Sequence, residues 1–176
     1  GAAHDGVVGV NAERQEEGVH GAAHAVMEAV FTGKDLGDGA VEQVLNAYEY
    51  AADHRAPAAP RPRHAITHLQ LMTPQQITRM ARDGVIAVVN PYWHFKDSLY
   101  FDALEIPYLG TRRAESEYPL ASLVCAGVHV SQASDWPVTV PANTFKSLHL
   151  MVNRTEPGYA VDSALKPSEC LSALEG

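Results

Sequence analysis

The apolar run Val85–Val89 constrains the fold of this chain more than any other feature of its sequence. Consecutive apolar residues, preceded by Gly84 and ended by Pro91, are typical of a short strand that is buried on both faces. Strands of that kind occur in parallel sheets, because the crossover connections place helices over both faces of the sheet. The run therefore predicts an α/β fold with parallel strands.

Helical and strand patterns alternate on both sides of this run. The clearest helix covers 39–53, where apolar residues recur at helical spacing and Asp38 is placed to cap the N-terminus. A second helix opens at Thr73, which can cap it, and Pro74 suits its first position. The other predicted elements are strands at 18–26, 64–71 and 128–133, a proline-rich connector at 57–62, an aromatic loop at 91–110, helices at 112–125 and 143–153, and a short helix after Pro167.

This alternation indicates a parallel sheet whose crossovers are right-handed. A complete eight-stranded β/α barrel has about 250 residues, whereas this chain has 176. The chain is therefore expected to be either a small open α/β domain or about half of a TIM-type (β/α)8 barrel.

Composition excludes several classes of partner. Lys and Arg (13) are outnumbered by Asp and Glu (21), so the net charge is −8 and no basic stripe for nucleic acid is visible. No run reaches the ~18 apolar residues of a membrane-spanning helix, and the first residues do not have the pattern of a signal peptide. Cys125 and Cys170 make neither a disulfide framework nor a metal-binding CxxC motif, so a cytoplasmic location is expected.

Three polar residues stand at the carboxyl ends of different predicted strands. They are His24, His68 and Asp135. His64 lies in the same strand as His68, and four residues of strand span about 13 Å, so the two imidazoles cannot share one ion. Taken singly, each residue is more simply explained as a core histidine or a turn aspartate. Together, two imidazoles and a carboxylate suit a zinc-type hydrolytic site in which the carboxylate accepts a proton from water.

The order and spacing of several motifs are similar to those of a known family. The most specific stretches are GDGAVEQVLNAYEYA at 37–51, RHAITHLQL at 63–71, and VVNPYWHFKDSLYFDALEIPYLGTRRAESEYPLASLVCAGVHVSQASDWPVTVP at 88–141. Over 13–158 the chain resembles the C-terminal half of the barrel of the amidohydrolase superfamily. Within it, the chain is most similar to amidohydrolase family 3, the branch that includes N-substituted formamide deformylases.

The resemblance implies a function and a set of site residues. It implies strands five to eight of the barrel within 1–158, a C-terminal tail at 159–176, and metal-assisted hydrolysis of non-peptide amide C–N bonds. The implied ligands of a divalent metal, zinc as the first expectation, are His24, His68 and Asp135. Asp135 would also be the general base, and Tyr92, Trp93 and His94 would line the pocket for a small amide substrate.

The chain also departs from the family pattern. Residues 27–36 look like an insertion, Thr67 replaces the family's Glu, and the first-strand HxH and the fourth-strand ligand of the family have no counterpart here. A half barrel would expose two sheet edges. We therefore expect a fragment that is inactive alone and that pairs with a complementary half barrel or a second copy. The alternative is a non-catalytic α/β half-barrel module.

Overall fold

A computed structural model describes residues 37–56, 62–139, 143–160 and 163–173 of the chain. Helices and short parallel strands alternate along these residues, as the sequence predicts. The elements are α1 (Asp38–Asp53), β1 (Ala65–Thr67), α2 (Pro74–Asp83), β2 (Ile86–Val89), a 3₁₀ turn (Pro91–Trp93), a π-helix (Ser98–Glu105), α3 (Ile106–Leu109), α4 (Thr111–Ala114), α5 (Leu120–Cys125), β3 (Val130–Gln132), α6 (Thr144–Asn153) and a second 3₁₀ turn (Pro167–Glu169).

The described strands form one parallel sheet in the order β1-β2-β3. Ile66 pairs with Ala87, and Ala87 with Val130, so the three strands are in register across the sheet. The apolar run at 85–89 thus becomes the central strand, which confirms the α/β prediction. The strand predicted at 18–26 lies outside the described residues.

Helix α2 follows the predicted capping chemistry closely. The Thr73 hydroxyl accepts from the Gln76 backbone N–H at 3.3 Å, and the Gln76 side chain accepts from the Thr73 N–H at 2.9 Å. The helix ends at Gly84, whose φ of 68° is the left-handed conformation that glycine adopts without strain. At α1, in contrast, Gly37 and not Asp38 is the N-cap, and Asp38 binds Arg113.

The core lies between the sheet and the helices α1, α2, α5 and α6. Its buried members are Val41, Val44, Leu45, Tyr48, Ile66, Leu69, Ile77, Met80, Val85, Ala87, Val89, Leu120, Leu123, Val128, Met151 and Leu171. Four of them, Val41, Val44, Leu45 and Tyr48, are the apolar residues of 39–53 whose spacing predicts the first helix. Outside this core, α1 and α2 are joined by ion pairs of Arg79 with Glu42 at 2.6 Å and with Glu49 at 2.8 Å.

The aromatic segment 91–110 is helical, so the predicted loop is wrong. The Asp97 carboxylate accepts from the backbone N–H groups of Leu99 and Tyr100, at 2.7 and 2.9 Å, and begins the π-helix. Pro107 continues the chain into α3 because the first turn of a helix needs no proline N–H.

The predicted helix at 112–125 is divided into α4 and α5. Tyr118 has a φ of 52°, which no helix interior accommodates. The backbone carbonyls of Glu117 and Tyr118 accept from the buried Arg154 guanidinium at 3.0 and 2.9 Å. A residue far along the chain therefore takes the acceptors that would have continued the helix.

Residues 163–173, which belong to the predicted C-terminal tail at 159–176, are hydrogen-bonded to the body of the protein. Arg154 Nε donates to the Leu165 carbonyl at 2.5 Å, and Leu171 N–H donates to the Met151 carbonyl at 3.0 Å. Glu169 accepts from the Ser122 N–H and hydroxyl at the start of α5. This segment thus closes one side of the core.

No helix in the described part of the chain has both the length and the apolar character needed to cross a bilayer. The cytoplasmic location stays a prediction.

Candidate functional site

Polar residues follow all three described strands at the carboxyl edge of the sheet. His68 comes directly after β1, Asn90 after β2, and Asp135 shortly after β3. Because β2 is the central strand, Asn90 stands between the other two. Parallel β/α folds place their binding sites at this edge, which makes it the candidate site here.

The backbone at the two predicted ligands that the structure describes, His68 and Asp135, is in the left-handed region. The φ angles are 67° at His68, 55° at Leu69 and 58° at Asp135. Such conformations are uncommon for residues other than glycine, and each costs about 1–3 kcal/mol unless local contacts compensate. They also explain why β1 ends at Thr67, earlier than the predicted strand at 64–71. Left-handed backbone thus occurs at the carboxyl ends of β1 and β3, on either side of the central strand.

The His68 imidazole is held in a buried setting. Its side chain stacks on Trp93, with ring centroids 4.8 Å apart and planes 10° from parallel. Burial lowers the pKa of His68, while the charge of Asp135 and a hydrogen bond with Asn90 partly oppose that effect. The ring is therefore neutral at neutral pH, which is the form that binds a metal ion.

Asp135 lies in a tight turn at the same edge and is half-buried. Its backbone carbonyl accepts from the N–H groups of Val138 and Thr139, at 2.8 and 3.2 Å. Its carboxylate is near enough to His68 to raise the pKa of that imidazole. His68 and Asp135 thus lie at the same edge of the sheet, after β1 and β3, whereas His24 lies outside the described residues.

The three residues of the predicted substrate pocket have different surroundings. The Tyr92 hydroxyl donates to the Asn143 carbonyl at 2.8 Å and also accepts from the Asn143 N–H, so it holds the start of α6. Trp93 is partly exposed beside His68, and its Nε1–H donates to the Thr139 hydroxyl at 3.3 Å. Of the three, Trp93 is the one in contact with a predicted ligand.

His94 is fully buried and stacks on Tyr118, with centroids 4.5 Å apart. Within the described residues neither ring nitrogen has a hydrogen-bond partner. Burial and the nearby positive charge of Arg154 hold the pKa of His94 well below its usual value. The imidazole is therefore neutral, and its role in substrate binding stays a prediction.

A pair of carboxyl groups, a buried one at Glu117 and a half-buried one at Glu105, lies next to this edge. The Gln70 Nε2 amide donates to Oε1 of Glu105 at 2.8 Å and to Oε1 of Glu117 at 3.0 Å. Burial and the neighbouring Glu105 raise the pKa of Glu117 to about 9, and burial raises the pKa of Glu105 as well. The two carboxyl groups thus share a proton at neutral pH.

The metal donor set is incomplete within the described residues. Among them no group of three or more His, Cys, Asp and Glu side chains is arranged to hold a metal ion. His68 and Asp135 supply one imidazole nitrogen and one carboxylate, which fit a zinc-type ion as donors. A catalytic zinc site has about three protein ligands, so further donors have to come from outside the described residues.

The fold and the polar edge define the class of protein. Parallel β/α units with donor side chains at the carboxyl ends of the strands are the arrangement of β/α enzymes. A sequence model of the amidohydrolase family matches residues 17–176. The chain therefore belongs to amidohydrolase family 3.

One solved structure supports the same fold. It is described as an uncharacterised metal-dependent hydrolase from Pyrococcus furiosus, and it is similar to this chain with a TM-score of 0.60 and 21% sequence identity. The similarity covers 90% of this chain and 30% of that one. No curated protein matches the sequence.

Sequence reasoning did not identify Asn90 or the pair Glu105 and Glu117. Asn90 had a recognisable signal, because it is a polar residue between a buried strand and a proline. The carboxyl pair had none, since Gln70, Glu105 and Glu117 are distant in sequence and meet only through the fold.

Proposed function

We propose that this chain is part of a metal-dependent hydrolase that cleaves the C–N bond of non-peptide amides. Family membership supports metal-dependent hydrolysis as the general chemistry. The observation that carries the proposal is the placement of His68 and Asp135 at the carboxyl edge of the sheet, each with left-handed backbone. Small amides of the N-formyl and N-acyl amine type are the proposed substrates.

The donor atoms suggest a role for each residue. His24, His68 and Asp135 would hold a divalent metal, with zinc as the first candidate. The metal would supply Lewis-acid activation of water and of the amide carbonyl. Asp135 would accept the proton of the attacking water, and the Trp93 ring beside His68 would form a wall of the substrate pocket.

We also propose that the barrel is completed by another polypeptide segment or a second copy of the chain. The described sheet ends at β1 on one side and at β3 on the other. Beyond β3, Trp136 and Val138 are 66% and 72% exposed, and both are apolar. Closure of a barrel would cover this edge, and the molecular mass in solution would separate a monomer from a dimer.

A non-catalytic half-barrel module is the second candidate. It is favoured by the finding that the described residues contain only an incomplete metal donor set. In that case the edge at His68 and Asp135 would be a remnant of the family's site. The two candidates differ in zinc binding.

Titration of the chain with zinc, with the heat of binding measured by calorimetry, separates the two candidates. We expect H68A and D135N to weaken zinc binding at least tenfold. The matched control is H129A, because His129 is exposed and precedes β3 at the opposite edge of the sheet. Release of amine from N-formyl and N-acyl amines in the presence of zinc is expected only when the barrel is completed. Zinc binding by H68A and D135N equal to that of the unmodified chain would refute the metal-ligand roles on which the hydrolase proposal rests.

A further inference from the structure

A cavity of about 380 Å³ opens at the edge of the sheet opposite the candidate site. Its described walls come from the C-terminal half of α1, the end of α2 and the residues that precede β1 and β2. His64 and Val85 stand at the amino ends of these two strands, whereas His68 and Asn90 stand at the carboxyl ends. The cavity has the size of a binding site for a small organic molecule, and it is separate from the proposed metal site.

The inner wall of the cavity includes stacked aromatic rings. The buried Tyr48 ring lies on the His64 imidazole, with centroids 3.9 Å apart and planes 8° from parallel. The Tyr48 hydroxyl donates to the Ala65 carbonyl at 2.9 Å, which fixes the ring against β1. The buried Val85 side chain lines the same cavity. An apolar or aromatic group of a ligand can therefore be removed from water here.

The outer wall carries more negative than positive charge. The charged side chains that line it are Glu49, Asp53, Asp83 and Arg82. Hydrogen bonds with Arg79 and Arg82 lower the pKa of Glu49, and Arg82 lowers the pKa of Asp83 as well. Both carboxyl groups are therefore ionised at neutral pH. One guanidinium serves both of them, because Arg82 donates to Glu49 at 2.5 Å and to Asp83 at 2.7 Å.

Asp53 has no ion-pair partner among the described residues. It is exposed and is the last residue of α1. The C-terminal end of a helix is the negative end of its dipole, and no basic residue lies in the last turn of α1 to balance it. A cation beside Asp53 would therefore be attracted by the carboxylate and by the helix end together.

We propose that this cavity binds a small organic cation, namely a primary ammonium group on a short aromatic or apolar stem. The ammonium would lie at Asp53, and the stem would contact the rings of Tyr48 and His64. A metal ion fits less well, because the described residues contain no group of three or more donor side chains arranged to hold one. The proposal does not rest on the proposed hydrolysis, since no residue of this cavity takes part in that reaction.

Titration of the ¹⁵N-labelled chain with benzylamine at pH 7, followed in ¹H–¹⁵N spectra without metal, tests the proposal. We expect saturable shifts of the backbone signals of 49–53 and 82–85, with a Kd on the order of 1 mM for a ligand of this size. Added salt should weaken the binding, because an exposed charge pair is screened. Benzyl alcohol, which has the same ring without the positive charge, should bind more weakly, and benzoate should not bind.

Two variants test the role of Asp53. D53N should weaken benzylamine binding about three- to fivefold, the scale of an exposed ion pair. The matched control is D102N, because Asp102 is also an exposed aspartate in a helix but lies in the π-helix beyond the opposite edge of the sheet. That variant should bind benzylamine as the unmodified chain does.

Several results would overturn the proposal. Shifts that do not saturate would show adventitious binding only. Shifts confined to 68–70, 90 and 135 would place the amine at the candidate site instead of this cavity. Equal binding of benzyl alcohol and benzylamine, unchanged affinity in D53N, or an equal loss in D102N would each show that the charge of this cavity does not select the ligand.

Discussion

Replacement of Glu117 by glutamine should remove most of the pH dependence of stability between pH 6 and pH 8. Glu117 is fully buried, and it shares the Gln70 amide with Glu105. Two carboxylates cannot both be charged in that setting, so one proton stays bound in the folded chain. Glutamine keeps the size and the hydrogen-bonding capacity of the protonated acid but does not titrate.

The magnitude follows from the pKa difference between the folded and unfolded chain. The folded pKa is about 9, whereas the ordinary value is 4.5. Between these values the folded chain binds one more proton than the unfolded chain. The contribution of Glu117 to the free energy of unfolding is therefore fully present below pH 4.5, and it falls as the pH rises toward 9. The slope is about 1.4 kcal/mol per pH unit, so the free energy of unfolding should fall by about 3 kcal/mol from pH 6 to pH 8.

Urea unfolding at several pH values between 6 and 8 measures this slope directly. In E117Q the slope should be smaller by about 1.4 kcal/mol per pH unit. The matched control is E115Q, because Glu115 is two residues away but its side chain is 52% exposed. Histidine titrations contribute equally to all three proteins and cancel in the comparison. Equal slopes for E117Q and the unmodified chain would show that Glu117 is ionised in the folded protein.

Three further substitutions test other contacts. R154K should lower the free energy of unfolding, measured in urea titrations, by about 2–4 kcal/mol. One ammonium group cannot replace a guanidinium that donates to three separate carbonyls. A loss below about 1 kcal/mol would contradict this prediction. Y92F should lower the free energy of unfolding by about 1–2 kcal/mol, because the backbone of Asn143 loses its hydroxyl partner. Unchanged stability would show that the Tyr92 hydroxyl does not hold the start of α6. H94F keeps an aromatic ring against Tyr118, so it should be as stable as the unmodified chain at pH 7. At pH 5 it should lose less stability than the unmodified chain, because burial lowers the pKa of His94 and its protonation therefore favours the unfolded state. An equal loss of stability at pH 5 would contradict this reasoning.

The sheet and its neighbouring helices were predictable because their signals are local. The capping residues Thr73 and Gln76 lie within one helical turn, and the apolar run at 85–89 specifies a buried strand by itself. His68 and Asp135 were also identified correctly as residues at the carboxyl edge. Their roles as metal ligands stay predictions.

The rest depends on contacts between distant residues. The break before α5 requires Arg154 to reach the carbonyls of Glu117 and Tyr118. No pattern within 112–125 announces a partner that lies tens of residues away. The π-helix is a different case, because Asp97 was a usable capping signal that the surrounding aromatic residues obscured. The pairing of Glu105 with Glu117 likewise appears only when the fold is assembled.

The Arg154 contacts also affect the order in which the chain can fold during synthesis. Two of its acceptors precede it in the chain, but Leu165 is translated afterwards. Until that residue leaves the ribosome, a buried cation would have an incomplete set of acceptors, and the cost of desolvating it would not be repaid. The nascent chain should therefore remain sensitive to protease after β3 and α6 have emerged, and become resistant only when Leu165 has emerged as well.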